Sequence, residues 1–130
     1  MPRREQLMNE RLRAPALRNH FPEIERLRIE LVFNDPDARS PSPSPQQHTL
    51  HSAATAFFRF PCPCADCDGD FDLTDAVTTL ITRTTGAKHS ASFSGNLACN
   101  GVRFRDRAVH QTCCPMQLKF QLLAEPRRAA

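Results

Sequence analysis

Four segments of the chain alternate between apolar and polar residues: 26–33, 53–60, 88–99 and 115–123. A period of two is typical of strands that bury one face and expose the other. The sequence therefore predicts four half-buried strands. Their inward positions include Leu27, Ile29, Leu31, Phe33, Ala54, Ala56, Phe58, Phe60, His89, Ala91, Phe93, Leu97, Met116, Leu118, Phe120 and Leu122.

The segment that follows Asp72 has a helical period instead. Its apolar residues recur at the spacing of one helix face, and they are Leu73, Val77, Leu80 and Ile81. Asp72 is suited to the N-cap, and Gly86 can end the helix. Threonine is frequent here and has low helix propensity, so a strand stays open as the alternative.

The remaining segments set the limits of the domain. Residues 3–13 favour a short helix that ends before Pro15, or else a frayed arm. Its apolar stripe would consist of Leu7, Met8 and Leu12. Residues 34–48 are rich in Pro and Ser, which favours a flexible, disordered loop. We therefore predict an N-terminal arm or short helix at 1–23, one domain containing the loop at 24–124, and a tail at 125–130.

The order of these elements predicts an α+β domain. Consecutive strands joined by loops form antiparallel hairpins, and here one helix separates two such pairs. We expect the first two strands to pair with each other, and the last two likewise. Together they would make a four-stranded antiparallel sheet with the helix covering one face.

Composition limits how large a core this domain can build. Hydrophobic residues make up 40% of the chain, Trp and Tyr are absent, and 11 residues are Pro. Such a core would gain useful stability from a bound metal. The charged N-terminus differs from a secretory signal, and no run approaches the roughly 18 apolar residues of a membrane span. We therefore expect a cytoplasmic protein with reduced thiols and no membrane partner.

Six cysteines in two clusters carry the clearest chemistry of the sequence. The first cluster lies in CPCADCDG, and the second consists of Cys99, Cys113 and Cys114. A hairpin of the last two strands would place Cys99 beside the other two. In a reducing compartment, this pattern favours a structural zinc site with four ligands over disulfides.

Strand parity selects four of these cysteines as the zinc ligands. Cys62, Cys99 and Cys114 continue the apolar faces of their strands, so their sulfurs can converge near the start of the helix. Cys67 is the natural fourth ligand. The alternative ligands are Cys64, Cys113, His89 and His110. Buried thiols without metal, disulfides, an iron–sulfur cluster and catalytic thiols stay open as alternatives.

The cysteine turns resemble those of zinc-ribbon domains. The residues that carry the likeness are Cys62-Pro63, the Cys64/Cys67 turn with Gly69, and Cys99-Asn100-Gly101, within roughly residues 54–123. Gly69 stands where a turn often requires a positive φ. A third cysteine in the first turn and an excursion over 100–112 depart from the ribbon pattern. The resemblance implies a zinc-ribbon-like metal site, but no particular activity. The chain also looks like a small bacterial protein.

Charge is spread unevenly, although the net charge is only +3. Residues 62–80 carry a net charge of −5 and residues 81–130 a net charge of +6. We expect the carboxylates of residues 62–80 to point into solvent, because negative charge is unfavourable beside thiolates. The spacing of these carboxylates does not fit a calcium loop. Arg103, Arg105 and Arg107 alternate in the excursion, where they could face phosphates or simply be solvated.

These features predict a small zinc-binding structural or adaptor module that works through a protein partner. A nucleic-acid-binding protein that uses the Arg103/Arg105/Arg107 loop is the alternative. Catalysis is not expected, because HExxH, HxE and nucleophile–histidine motifs are absent from the sequence. The Cys64–Cys67 pair also lacks the thioredoxin-like context of a redox motif. The excursion from Asn100 to Thr112 is the expected binding surface.

Overall fold

The computed structural model describes residues 3–34, 44–63, 67, 69–84, 90–104, 111–113 and 116–127. The helices are α1 (Arg3–Arg13), α2 (Leu17–His20) and α3 (Thr74–Thr84). The strands are β1 (Ile24–Asn34), β2 (Gln46–His51), β3 (Arg59–Pro61), β4 (Asp70–Asp72), β5 (Ala91–Ala98), β6 (Val102–Phe104), β7 (Gln111–Cys113) and β8 (Gln117–Pro126). Among the helices of the described residues, none combines the length and apolar character that a bilayer crossing requires.

A four-stranded antiparallel sheet in the order β2-β1-β8-β5 forms the body of the protein. The two central strands, β1 and β8, pair along their length, with Leu31 opposite Phe120. Strand β5 lies beside β8, and α3 packs against both. The alternating apolar side chains of β1 and β8 are buried against this helix side of the sheet. The predicted α+β class with a four-stranded antiparallel sheet is confirmed.

Helix α3 forms as its apolar period predicts. The four periodic apolar residues of this segment are buried, namely Leu73, which directly precedes the helix, and Val77, Leu80 and Ile81 within it. The N–H of Thr74 donates to Oδ1 of Asp72 at 2.9 Å, so Asp72 satisfies a first-turn amide. The hydroxyls of Thr78 and Thr82 donate to the carbonyls four residues earlier. Threonine is accommodated on the exposed face because its hydroxyl bonds back to the helix.

The fourth strand of the sheet is not the one that the sequence predicts. Strand β2 takes that place, pairing Leu50 with Leu27 and His48 with Ile29, although the sequence assigns residues 46–48 to the Pro/Ser loop. An edge strand is held by backbone hydrogen bonds from one neighbour, so it needs few buried side chains and leaves a weak apolar pattern. Residues 35–43 of the predicted loop lie outside the described residues.

The predicted strand at 53–60 contributes instead to a small separate hairpin. Its end forms β3, which pairs with β4 so that Phe60 lies opposite Phe71. Phe58 and Phe60 are buried, as their alternation predicts. Phe71 in turn contacts Phe33 of β1, with ring centroids 5.5 Å apart. The hairpin of β3 and β4 therefore shares the apolar core of the main sheet.

The chain ends differ from the expected limits in detail. Helix α1 occupies the predicted range, but only Leu7 of its apolar stripe is buried, whereas Met8 is 65% and Leu12 76% exposed. At the other end, β8 continues through Pro126, which pairs with Ile24. Residues 125 and 126 therefore belong to the sheet, not to the predicted tail.

Candidate metal centre

Three cysteine sulfurs meet beside the core. The Sγ atoms of Cys62, Cys67 and Cys99 all lie within 4.8 Å of one another, and those of Cys67 and Cys99 are 3.5 Å apart. A tetrahedral zinc site with Zn–S bonds of about 2.3 Å separates its sulfurs by about 3.8 Å. Disulfide sulfurs lie much closer, at about 2.05 Å. The three sulfurs are therefore close enough together that they could hold one metal ion.

Strand pairing explains why these sulfurs meet. Cys62 follows β3 and Cys67 precedes β4, so the turn of this hairpin brings the two together. The N–H of Cys62 donates to the carbonyl of Gly69 at 3.0 Å, which closes the turn. Cys99 directly follows β5, and its N–H donates to the carbonyl of Met116 at 3.1 Å. Two separate hairpins thus contribute ligands from the ends of their strands.

Two Cys-X-Gly turns present the sulfurs in the same way. The N–H of Gly69 donates to Sγ of Cys67 at 3.2 Å, and the N–H of Gly101 donates to Sγ of Cys99 at 3.3 Å. An amide donor favours the thiolate, which is the form of cysteine that binds metal. Both turns therefore place an amide donor against the sulfur, where it would favour a thiolate.

The glycines of the two turns are packed against each other. A Cβ on Gly69 would lie 2.5 Å from the backbone nitrogen of Gly101 and closer still to Sγ of Cys99. A Cβ on Gly101 would meet the backbone of Gly69 and lie 2.9 Å from Sγ of Cys67. Only glycine allows this approach. The need for glycine at position 69 therefore comes from close packing, not from the positive φ that the sequence suggested.

A buried carboxylate connects the two turns. Asp70 is only 1% exposed, and its Oδ1 accepts a hydrogen bond from Nδ2 of Asn100 at 2.8 Å. In return, the N–H of Asp70 donates to Oδ1 of Asn100, also at 2.8 Å. The expectation that the carboxylates of this segment point into solvent is therefore wrong for Asp70. Its charge is compensated by Arg59, whose Nε donates to Oδ2 at 2.8 Å.

Arg59 extends these contacts to the N-terminal helix. Its Nη1 lies 2.9 Å from Oε2 of Glu10 in α1. The hydrogen bond to Asp70 raises the pKa of Arg59, and burial opposes that shift only in part. The guanidinium therefore stays charged, and the buried carboxylate keeps its counterion. No local sequence signal indicates this network, because its members are far apart in the chain.

The structure places the predicted site residues as follows. Cys62 is buried, Cys67 and Cys99 are partly buried, and the three lie together. The fourth predicted ligand, Cys114, lies outside the described residues, as do Cys64, His89 and His110. For Cys113 the structure describes the backbone, which pairs with Val102 between β6 and β7. The role of these cysteines as ligands stays a prediction.

The excursion after Cys99 is partly described. Strands β6 and β7 form a two-stranded arm, in which Arg103 pairs with Thr112. Arg105 and Arg107 lie outside the described residues. The arm begins directly after Gly101, so its base adjoins the sulfur cluster.

No family model, curated protein or solved structure matches the chain. The likeness to zinc ribbons is therefore one of motif. The structure supports the part of this likeness that concerns metal binding, because three cysteines lie close enough together to hold a metal ion.

Proposed function

We propose that this chain is a small zinc-binding protein in which Cys62, Cys67, Cys99 and Cys114 hold one structural Zn²⁺. The observation that carries the proposal is the convergence of three sulfurs from two hairpins, two of them accepting amide hydrogen bonds. Thiolate ligands select soft metals such as zinc over magnesium or calcium. Tetrahedral sites with four protein ligands are the usual structural form of bound zinc.

Cys114 is assigned as the fourth ligand because of its neighbours in the chain. Cys113 pairs with Val102, and Met116 accepts a hydrogen bond from Cys99. Both contacts are made with the segment from Cys99 to Val102, which connects β5 to β6. Cys114 is one residue from Cys113 and two from Met116 in the chain, and this short separation supports its assignment as the fourth ligand.

The proposed role of the metal is structural. A catalytic zinc keeps an open coordination position and needs a general base nearby. The buried carboxylate of the site, Asp70, is held by Arg59 and Asn100 and is poorly placed to accept a substrate proton. Cys62 also belongs to the apolar core, and the other two cysteines pack against it. The metal would therefore extend a small core by joining two hairpins to it.

The arm of β6 and β7 is the proposed surface for a protein partner. It leaves the metal centre at Gly101 and returns at Cys113, so the metal would fix both ends of its base. This arrangement supports an adaptor function. Nucleic-acid binding through Arg103, Arg105 and Arg107 is favoured by one separate observation, the net charge of +6 on residues 81–130.

Salt dependence separates these two functions. The full chain is titrated with labelled single-stranded and duplex DNA and RNA at two salt concentrations, beside a triple Arg103/Arg105/Arg107→Ala variant. For an adaptor we expect weak binding that is nearly the same for both proteins. A nucleic-acid reader would bind with a steep salt dependence, and the variant would lower the slope of log K against log salt by about 3, near one per lost phosphate contact. That result would replace the adaptor proposal with the alternative.

A further inference from the structure

We propose that Asp70 and Asn100 form a clamp that positions Cys67 and Cys99 for the metal. This inference rests on the proposed metal site. Asp70 lies three residues after Cys67, and Asn100 lies directly after Cys99 and inside its turn. The two reciprocal hydrogen bonds of 2.8 Å therefore fix one cysteine turn against the other. Both residues are positioning residues, because the metal is bound by the sulfurs.

The clamp requires a carboxylate at position 70. Its Oδ1 faces the amide donor of Asn100, and its Oδ2 faces the guanidinium donor of Arg59. An amide in this place has only one oxygen, so its NH₂ group would face a donor on one side or the other. Because the residue is buried, water cannot relieve this mismatch, and such unsatisfied groups are costly. Asparagine at position 70 therefore loosens one of the two connections.

The clamp also requires an amide at position 100. Asn100 accepts the backbone N–H of Asp70 through Oδ1 and donates to its carboxylate through Nδ2. A carboxylate at position 100 would place two like charges in contact. We therefore expect Asn100→Asp to weaken metal binding as Asp70→Asn does.

Exchanging the two side chains restores the hydrogen bonds that join the two turns to each other and to Arg59, with the carboxylate charge moved to position 100. In the double variant Asp70→Asn/Asn100→Asp, the amide oxygen at position 70 accepts from Arg59. Its NH₂ group donates to the carboxylate at position 100, which also accepts the backbone N–H of residue 70. Rescue by the exchange is a result that a general loss of stability does not produce, since two destabilising changes then add.

The test measures zinc affinity by competition with a chelator for the full chain and these three variants. Each single variant is expected to bind zinc about 10–100-fold more weakly, the usual effect of changing a residue that orients metal ligands. The double variant is expected to recover most of that loss. Asp75→Asn, which changes an exposed carboxylate of α3, serves as the control and is expected to bind as the unaltered chain does.

Two results would overturn the clamp. One is a pair of single variants with unchanged affinity, and the other is a double variant as weak as the two single effects combined. Asn100→Ala tests the clamp even if the other variants do not fold. Asn100 is exposed, and Asp70 retains its hydrogen bond from Arg59 in this variant. This variant should fold and still bind zinc at least several-fold more weakly, and full affinity would equally refute the clamp. Absence of zinc binding in the unaltered chain would instead refute the metal site itself, and the clamp with it.

Discussion

Replacing Cys99 with serine is expected to abolish tight metal binding and to remove the cooperative unfolding transition of the chain. Cys99 supplies one of the three clustered sulfurs and is the only one of them that comes from the β5–β8 pair. Apparent zinc-binding free energies in zinc-finger peptides are about 10–16 kcal/mol. Whole domains are stable by only about 5–15 kcal/mol. Loss of one ligand therefore removes a free energy comparable to the stability of the domain.

The measurement is metal content together with thermal unfolding followed by circular dichroism. Cys67→Ser should behave as Cys99→Ser does, since its sulfur lies 3.5 Å from that of Cys99. Cys64→Ser and Cys113→Ser are the matched controls, because they change the same residue type outside the proposed ligand set. Equal loss from all six cysteine variants, or a stable and fully loaded Cys99→Ser variant, would contradict the assignment of ligands.

Alanine at Gly69 or Gly101 is expected to be nearly as damaging as loss of a ligand. Each added Cβ would press on the backbone of the opposite turn, which can move aside only if the two turns separate. Overpacking of this kind costs about 1–3 kcal/mol where neighbours can yield, and backbone atoms yield less than side chains. Separation of the turns also moves the sulfurs of Cys67 and Cys99 apart. We therefore expect both a lower melting temperature and zinc affinity reduced about 100-fold or more, about 2.7 kcal/mol or more.

Gly95→Ala provides the control for these two variants. Gly95 lies in β5, where a Cβ would meet the ring of Phe120, 2.9 Å from its outermost carbon. An aromatic side chain can shift, so we expect a modest fall in melting temperature with unchanged zinc affinity. Normal zinc binding by Gly69→Ala and Gly101→Ala would contradict this role of the two glycines, as would equally weak zinc binding by Gly95→Ala.

Elements with a strong apolar period could be predicted from the sequence, and the edge strand β2 could not. Residues of β1, β8 and α3 bury one face each, and that burial is what a period of two or 3.6 records. Strand β2 is held mainly by backbone bonds to β1, with only His48 and Leu50 partly buried. Because residues rich in Pro and Ser precede β2, the predicted loop was continued to residue 48 and included the first three residues of the strand.

The candidate site could likewise be predicted from the sequence only in part. The parity of strand ends selected Cys62 and Cys99, and the short turn indicated Cys67. The structure places these three sulfurs close together, and their role as ligands stays a prediction. The pairing of Asp70 with Asn100 spans 30 residues and depends on how two hairpins are placed in space. A rule based on charge alone predicted that Asp70 faces solvent, because it could not include the counterion that Arg59 supplies from the neighbouring strand.

The central claim is that this chain holds one structural zinc ion through four of its six cysteines. Elemental analysis of the full chain, purified under reducing conditions without added metal, tests it most directly when thiols are titrated on the same sample. We predict about one zinc per chain, with two thiols that react at once and four that react only after a chelator removes the metal. A chain that carries no metal and whose six thiols all react freely would contradict the account.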